Sequence, residues 1–361
     1  MAIIVDGSGG LVNSNDRSDA QTGPALQSFR IDTGNLAGKA GFELWQEELV
    51  PYWDSQPCGD VREHFRSVFE SHLCGAVMIG RVGTPAQRID RSRYRIARDG
   101  FSQYGLKIVL RGTIGKRGGD RESRADAPGD VFITDLSQPQ TVESGDLDVL
   151  FVIMQRDLLA PLLTLPDEHN QRAISGQNPL AQLLRTHLTS VYHLAPSLNA
   201  VQAEAIMKPT LELAAAAINA QVSETNVGAV RVAVTQEIRR HIENQIRNPR
   251  LHAETVAAHF GLSRRKLYYL FQPFGGFATY VQQRRLHSIR ADIINPALQN
   301  RSVASIAEGY GFDNYPSFVR AFRRTHEMSP REVRTLGLER CSTIGAKLTA
   351  NSWHSWFFQT R

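Results

Sequence analysis

The stretch SVASIAEGYGFDNYPSFVRAFRRTHEMSPREVR, Ser302–Arg334, predicts two short helices joined by a tight turn. Ser302 can cap the first helix, and Gly311 can take the positive φ that a sharp turn requires. The second helix places Phe318 and Phe322 on one face and arginines on the opposite side. Such a helix suits a DNA major groove, where guanidinium groups contact guanine or phosphate. For this unit alone, a solvated basic helix in a packed domain remains the alternative.

A second copy of the unit lies fifty residues upstream. The segment Val256–Leu262 repeats Ile306–Phe312, each with the order apolar residue, Ala, three variable positions, Gly and apolar residue. The helix that follows the first copy carries Leu267 and Phe271 at the positions of the two phenylalanines of the second copy. A repeated turn followed by a basic amphipathic helix favours a paired helix-turn-helix module over an isolated basic helix.

On these residues, the region 235–336 resembles the DNA-binding domain of the AraC/XylS family of bacterial transcription regulators. The resemblance places helix-turn-helix 1 at about 254–272 and helix-turn-helix 2 at about 302–325, joined by a long helix. The motif core then consists of Ala257, Gly261, Leu267, Phe271, Ile306, Ala307, Gly311, Phe312, Phe318, Phe322 and Pro330. The sequence departs from the family at Glu327, where Gly is usual, at Val333, where an aromatic residue is usual, and at Asn314, where Asp is frequent.

Charge is distributed unevenly along the chain. Residues 231–336 hold 17 Lys or Arg and 8 Asp or Glu, whereas residues 1–230 hold 21 against 27. The net charge of +5 therefore conceals a basic C-terminal region and an acidic N-terminal one. A basic region of this kind is typical of nucleic-acid binding, and the acidic one is not expected to bind phosphate broadly.

Cysteine usage and hydropathy indicate the compartment. Cys58, Cys74 and Cys341 form no C-x-x-C pair, which argues against a disulfide framework and a Cys-rich zinc site. The N-terminus has no basic leader, and no run approaches the roughly 18 apolar residues of a membrane span. We expect a cytoplasmic protein with no membrane contact.

The N-terminal half predicts a sheet-rich domain. Residues 1–40 are rich in small polar residues and are expected to be mostly disordered. Short apolar runs then alternate with turn signals between residues 76 and 154, which is typical of a strand series. The strand 105–112 would place Leu106, Ile108 and Leu110 on one face, and a Pro-Gly turn enters the strand near residue 130. These features resemble the cupin-like, AraC-binding-like sensor domain of the same family, assigned to residues 41–177, so the fold class is α+β.

A cupin-like barrel can be a metal enzyme or a ligand sensor. Metal enzymes use His and carboxylate ligands on the barrel strands, and this chain has no His between His72 and His169. We therefore expect no cofactor and no metal, and a small organic effector that is uncharged or weakly charged.

An arginine cluster stands out in the acidic half, at Arg88, Arg91, Arg93, Arg95 and Arg98. Alternation of three of them favours the outward side of an edge strand, where charge prevents sheet pairing. A contact with an anionic effector or with RNA polymerase is the alternative.

The region 178–222 predicts helices between the two domains. A broad apolar face predicts a homodimer contact through Leu180, Leu184, Leu188 and Val191, and packing on the barrel is the alternative. Residues 223–234 are expected to be a linker, and residues 337–361 an aromatic C-terminal tail.

The predicted function is a sequence-specific transcription regulator that binds promoter DNA, with activation of a catabolic or stress operon in response to the effector. Contact with RNA polymerase is implied by the family resemblance. An architectural DNA binder and an enzyme fused to a DNA-binding module are the alternatives. The predicted base contacts are Arg265, Tyr268, Tyr269, Pro316, Ser317, Arg320 and Arg323. The predicted phosphate contacts are Arg264, Lys266, Arg284, Arg290 and Arg324.

Overall fold

The computed structural model describes residues 2–5, 25–49, 52–60, 65–119, 123–220 and 226–337. Contacts divide the chain into two compact units. The first contains the described residues of 2–92 and 101–220, and the second those of 93–100 and 226–337. The first unit is rich in sheet and the second is helical, which confirms the predicted α+β class.

The strands of the first unit form two sheets. They are β1 (Ala2–Val5), β2 (Ser28–Asp32), β3 (Asp54–Pro57), β4 (Val68–Cys74), β5 (Val77–Thr84), β6 (Gln87–Arg91), β7 (Tyr104–Arg111), β8 (Ile114–Lys116), β9 (Arg124–Ala125), β10 (Val131–Asp135), β11 (Gln140–Ser144), β12 (Leu147–Met154) and β13 (Arg172–Ile174). One sheet has the order β1-β2-β4-β5-β12-β7-β10-β13 and the other β3-β6-β11-β8-β9. Pairing is antiparallel except between β1 and β2, which are parallel.

Strand β7 shows how the two faces of the larger sheet are used. Leu106 and Ile108 point to one face and lie in a core cluster with residues of two later helices, while Leu110 is partly exposed. Gly105 and Lys107 line a cavity on the other face. Leu106 and Ile108 of the predicted shared face therefore pack toward the helices, although Leu106 also borders the cavity beside Gly105 and Lys107.

The helices of the first unit are α1 (Gly38–Leu49), α3 (Arg156–Leu159), α4 (Pro179–Leu194) and α5 (Ala200–Asn219), with α2 (Arg93–Asp99) belonging to the second unit. Helix α4 begins where the Asn178 side chain accepts the backbone N–H of Leu180 at 2.9 Å, with Pro179 in the first turn. Helix α5 begins with a capping box between Asn199 and Gln202.

Helix α4 corrects the predicted dimer face. Leu184, Leu188 and Val191 are buried in the protomer's own core, against the sheet and α5, and Leu180 is partly buried in the same cluster. The amphipathic pattern indicated a covered face correctly, but the sheet covers it. The outward side of α4 carries Leu183 instead, which is 57% exposed.

The arginine cluster is also not an edge strand. Residues 93–99 form helix α2, and Arg91 is 1% exposed, with its guanidinium donating to the carbonyl oxygens of Leu136 and Tyr52 at 2.7 Å. Backbone acceptors inside the first unit therefore hold Arg91, and neither predicted role applies to it.

Two expected segment boundaries change as well. Strand β2, at Ser28–Asp32, pairs with β4, so the expected disorder of residues 1–40 is wrong there. The expected linker 223–234 is helical from Asn226 onward. The expected tail lies outside the described residues beyond residue 337.

The second unit is a helical domain around one apolar core. Its further helices are α6 (Asn226–Asn244), α7 (Ala253–His259), α8 (Arg264–Phe271), α9 (Phe277–Ile294), α10 (Val303–Glu308), α11 (Tyr315–His326) and α12 (residues 330–337). Ala257, Leu267, Phe271, Phe318 and Phe322 of the predicted motif core are buried in it. In the part of the chain that the structure describes, no helix is long and apolar enough to cross a membrane.

Candidate nucleic-acid interface

The repeat seen in the sequence is a repeat in backbone geometry. Gly261 and Gly311 have φ values of +62° and +81°. The residue after each glycine donates its backbone N–H to the carbonyl oxygen of the matching alanine, from Leu262 to Ala257 at 2.8 Å and from Phe312 to Ala307 at 3.2 Å. The two turns are therefore built alike, with a glycine where other residues would be strained.

The two turns differ in how closely other residues approach the glycine. A Cβ atom at Gly311 would lie 3.3 Å from Nη1 of Arg285 and 3.4 Å from the Cα atom of Pro249. At Gly261 nothing lies within 4 Å of that position. The contacts at Gly311 are at most slightly tight, so the positive φ is what favours glycine in both turns.

Each recognition helix begins at a side-chain cap. Ser263 Oγ accepts the backbone N–H of Lys266 at 3.2 Å, and Asn314 Oδ1 accepts that of Ser317 at 2.8 Å. Pro316 lies in the first turn of α11, where a backbone N–H would have no partner within the helix, so its absence in proline costs no hydrogen bond. Asn314 caps its helix as the family's usual Asp would, so this departure leaves the local structure unchanged.

The first recognition helix, α8, has one buried and one exposed side. Leu267 and Phe271 of the predicted motif core are fully buried, and Leu270 beside them is 3% exposed. The exposed side chains are Arg264, Arg265, Lys266, Tyr268 and Tyr269. The two tyrosines are 45% and 52% exposed, which is unusual for large aromatic side chains and makes their rings available to a partner.

Two contacts orient side chains on this helix. Arg264 forms an exposed ion pair with Glu254 at 3.1 Å, and the Nζ of Lys266 lies 5.6 Å from the ring centroid of Tyr269. Exposed pairs of this type contribute little to stability, so DNA phosphates can replace them at low cost.

The second recognition helix, α11, repeats this division. Phe318 and Phe322 are fully buried, and Arg320 donates to Ser317 Oγ at 3.0 Å on the exposed side. The exposed side chains are Pro316, Ser317, Arg320, Arg323 and Arg324. All five are accessible, as a DNA contact requires, and their contact with DNA stays a prediction.

Two of the predicted phosphate contacts, Arg284 and Arg290, already have protein partners. Arg284 forms a two-point ion pair with Glu243, with its Nε 2.6 Å from Oε1 and its Nη2 3.2 Å from Oε2. Arg290 is 4% exposed and donates to the carbonyl oxygen of Ile96. Both guanidinium groups have partners inside the second unit. Arg284 remains 23% exposed, so its phosphate contact stays a prediction, whereas the burial of Arg290 contradicts a phosphate contact there.

Helix α9 connects the two turn motifs and is held by a polar network. Asp292 accepts from Arg247 at 2.8 Å and from the hydroxyl of Tyr310 at 2.9 Å, and Arg247 also donates to that hydroxyl at 3.0 Å. Burial and the neighbouring Asp292 carboxylate raise the pKa of Tyr310 to about 12. The phenol therefore stays protonated and ties α9 to the end of α10.

A buried histidine supports the second recognition helix from below. His326 packs against Phe322, with ring centroids 4.5 Å apart, and its Nε2 lies 3.3 Å from the carbonyl oxygen of Leu286. Burial lowers its pKa to about 2, so the imidazole is neutral at physiological pH. Neutral Nε2–H can donate to that carbonyl and fix the end of α11 against α9.

The departure at Glu327 has a structural counterpart. Glu327 ends α11 with φ +61° and ψ 8°, the left-handed conformation in which glycine is favoured. The helix therefore ends as it would with the family's usual glycine, at the cost of some backbone strain.

A separate cavity of about 100 Å³ lies between the two sheets of the first unit. Its wall is mainly apolar and includes Trp45, Trp53, Phe69 and Phe151. Among the described residues, no group of three or more His, Cys, Asp or Glu side chains is placed to hold a metal ion. Within the described residues, the exposed sides of α8 and α11 in the second unit and this cavity in the first unit are candidate sites.

Comparison with known proteins identifies both units. Residues 53–219 match the model of the AraC-binding-like domain, and residues 256–335 match a helix-turn-helix domain. The transcriptional activator NphR of Rhodococcus sp is 22% identical over 324 residues, covering 88% of this chain and 94% of that protein. The XylDLEGF operon transcriptional activator of Pseudomonas putida is 27% identical over 246 residues, covering 64% and 74%. The crystal structure of the AraC-like transcriptional activator CuxR has the same fold, with a TM-score of 0.50 and 21% identity over 73% of this chain and 96% of that one.

Proposed function

The chain belongs to the AraC family of DNA-binding transcription regulators, with an N-terminal sensor domain, and from this premise we propose that it activates transcription at a specific promoter when a small organic effector occupies the sensor. The observation that carries the DNA-binding part is the paired set of capped helices with exposed arginines and tyrosines. It is a regulator rather than an enzyme.

We assign base reading to the outward centre of each recognition helix. In α8 these are Arg265, Tyr268 and Tyr269, and in α11 they are Pro316, Ser317, Arg320 and Arg323. Arginine can donate two hydrogen bonds to guanine, and the tyrosine rings can contact thymine methyl groups or the sugar edge. Arg264, Lys266 and Arg324 lie toward the helix edges, where contact with phosphate is expected.

Two such units can enter successive major grooves about 34 Å apart on one face of DNA. The experiment is footprinting of the purified full-length protein on the DNA that flanks its own gene, with binding to random DNA measured in parallel. We expect two protected segments about one helical turn apart and a specificity ratio of at least about 10³. Equal affinity for random DNA would instead favour an architectural DNA binder.

Activation of transcription, which we expect at a catabolic or stress operon, is supported by the two relatives that are named as transcriptional activators. We propose that this chain likewise recruits RNA polymerase to its promoter. In vitro transcription from the footprinted promoter tests this, with added protein expected to raise transcript yield. A fall in yield would identify a repressor. A promoter-binding role also supports the expected cytoplasmic location.

We further propose a homodimer, now through the outward side of α4 rather than its buried side. The support is the pair of exposed leucines, Leu183 and Leu194, which are 57% and 55% exposed. Leu183→Glu is expected to give a folded monomer, whereas an unchanged mass in solution would remove this face as the contact.

A further inference from the structure

The two recognition helices can be compared position by position, because their caps give them a common starting point. Ser263 caps α8 by accepting the backbone N–H three residues further on, and Asn314, 51 positions later in the chain, caps α11 in the same way. The same offset relates Leu267 to Phe318, and both side chains are fully buried. Residues 51 positions apart therefore occupy equivalent places on the two helices.

Tyr269 and Arg320 form one of these equivalent pairs. Each lies two residues after the buried side chain of its helix, about 200° around the helix axis from it and so nearly opposite the core. Tyr269 is 52% exposed, and Arg320 is exposed as well. When a helix lies in a major groove, side chains opposite its buried face reach the base edges. The two units therefore present different chemistry at the same depth, a phenol ring in α8 and a guanidinium in α11.

The Arg320 side chain is suited to guanine. Its Nη2 donates to Ser317 Oγ at 3.0 Å, which holds the guanidinium along the exposed side of the helix. A guanidinium only donates hydrogen bonds, and guanine offers it two acceptors in the major groove, N7 and O6. Adenine places an amino donor beside its N7, so it accepts only one of these bonds. Arg320 therefore favours guanine at the base pair that it faces.

The Tyr269 side chain is suited to thymine. The Nζ of Lys266 lies 5.6 Å from its ring centroid, and a cation at this distance attracts the ring and restrains its orientation. A phenol has a single hydroxyl, so it cannot form the two-point contact that guanine favours. Most of its surface is apolar, and the apolar group that base edges present in the major groove is the 5-methyl group of thymine. Tyr269 therefore favours a thymine.

The first turns of the two helices show the reverse arrangement. One turn before the Tyr269–Arg320 pair, on the same exposed side, α8 carries Arg265 and α11 carries Pro316. From its start, α8 therefore offers a guanidinium and then an aromatic ring, whereas α11 offers an apolar ring and then a guanidinium. A helix in the major groove meets successive base pairs in this order, so the two units are built to read different sequences.

We propose that the operator consists of two unequal segments, in which Tyr269 of α8 reads a thymine 5-methyl group and Arg320, at the equivalent position of α11, reads a guanine. The inference rests on the proposed promoter binding and deepens it, because it states which base chemistry each unit takes. Two unequal segments admit a protomer in only one orientation. The operator sequence therefore also fixes the direction in which the bound regulator faces along the DNA.

The test removes single groups from the operator and measures binding of the full-length protein by fluorescence anisotropy. Each thymine of the two footprinted segments is replaced in turn by deoxyuridine, which lacks only the 5-methyl group. Each guanine is replaced by 7-deazaguanine, in which a C–H replaces the N7 acceptor. We expect one deoxyuridine in one segment to weaken binding about fourfold, the value for one buried methyl group. One deazaguanine in the other segment should weaken binding at least about fivefold.

Protein variants assign each sensitive base to its side chain. In Tyr269→Ala the deoxyuridine should have no further effect, whereas in Arg320→Ala its fourfold effect should remain. Tyr269→Phe is the matched control, because it keeps the ring and loses only the hydroxyl, and it should retain the preference for the methyl group. Tyr269→Arg should change the preference at that base pair from thymine to guanine. A methyl effect that is unchanged in Tyr269→Ala overturns the proposal.

The unmodified operator and random DNA of the same length are measured alongside. If the wild type prefers the operator and no deoxyuridine weakens its binding, the assignment of Tyr269 to a thymine methyl group is wrong and the regulator function stands. If the wild type binds operator and random DNA equally, the proposed function itself fails, and this inference fails with it.

Discussion

Arg320 and Arg324 lie on the same exposed side of one short helix and are assigned different tasks, which makes them a matched pair. The only hydrogen bond that Arg320 donates in the described structure goes to Ser317 Oγ. Both side chains are exposed, and Phe318 and Phe322 carry the packing of the helix. Replacing either arginine by alanine therefore leaves the domain folded, and any change in DNA affinity reports a lost DNA contact.

The two substitutions are expected to affect binding to the operator and to random DNA differently. Loss of a two-point arginine–guanine contact in Arg320→Ala costs about 1–3 kcal/mol, or about 5–150-fold in affinity for the specific site. Random DNA offers no guanine in register, so its affinity should change little. Loss of one phosphate contact in Arg324→Ala weakens both DNAs and lowers the slope of log K against log salt by about 0.9. Between about 50 and 200 mM salt, that slope change amounts to about 3.5-fold.

The assay is fluorescence anisotropy on the footprinted operator and on random DNA of the same length, at both salt concentrations. Operators with each guanine replaced in turn complete the test, because Arg320→Ala should lose its preference at one base pair only. If Arg320→Ala weakens operator and random DNA equally, Arg320 contacts phosphate and the assignment of α11 side chains fails.

Three further predictions concern side chains whose surroundings only the fold shows. Arg290→Ala should lower the free energy of unfolding by about 1–3 kcal/mol, measured by urea titration. The same substitution should leave the salt dependence of DNA binding unchanged. A weaker salt dependence would show that Arg290 does contact phosphate. Leu184→Ala should destabilise the protein by about 2–5 kcal/mol, whereas Leu183→Ala should change its stability by less than about 0.5 kcal/mol. Equal effects of the two substitutions would contradict the core position of Leu184. The pKa of Lys107 in the folded protein, about 8, lies below its ordinary value of 10.5. Between these two pH values the unfolded chain binds more protons than the folded one. The free energy of unfolding therefore rises with pH in this range, by at most about 3 kcal/mol. Urea titrations at pH 7.5 and 10 should show a larger rise for the wild type than for Lys107→Met, and identical pH dependence would show that the ammonium is not desolvated.

The DNA-binding unit could be predicted in detail from the sequence because its determinants are local. Gly261 and Gly311 have the positive φ that their places in the repeat required. Ser263 and Asn314 cap helices that begin directly after them. Helical periodicity separated the buried residues of α8 and α11 from the exposed ones, since a 3.6-residue repeat assigns every position to a side of the helix.

Periodicity shows that a face is covered but not what covers it. The apolar face of α4 suited a partner subunit and a sheet equally well, and the sheet covers Leu184. Alternation along β7 was similarly ambiguous, because both faces of that strand are largely buried. A strand with two covered faces carries no sequence signal that distinguishes a helix-covered side from a cavity wall.

The sequence by itself determined the two helix-turn-helix units, their caps and turns, and the side chains that face outward on each recognition helix. Only the tertiary structure decided which charges are available. Arg284 and Arg290 were equivalent to Arg324 as basic residues on amphipathic helices, and they differ because Glu243 and the Ile96 carbonyl lie beside them in the fold. The position of Lys107 is a further example, because the alternation of β7 does not show that this side chain lies in a cavity wall. Caps and turns depend on neighbours a few residues away in the chain, whereas the partner of a charge is set by segments tens to hundreds of residues distant.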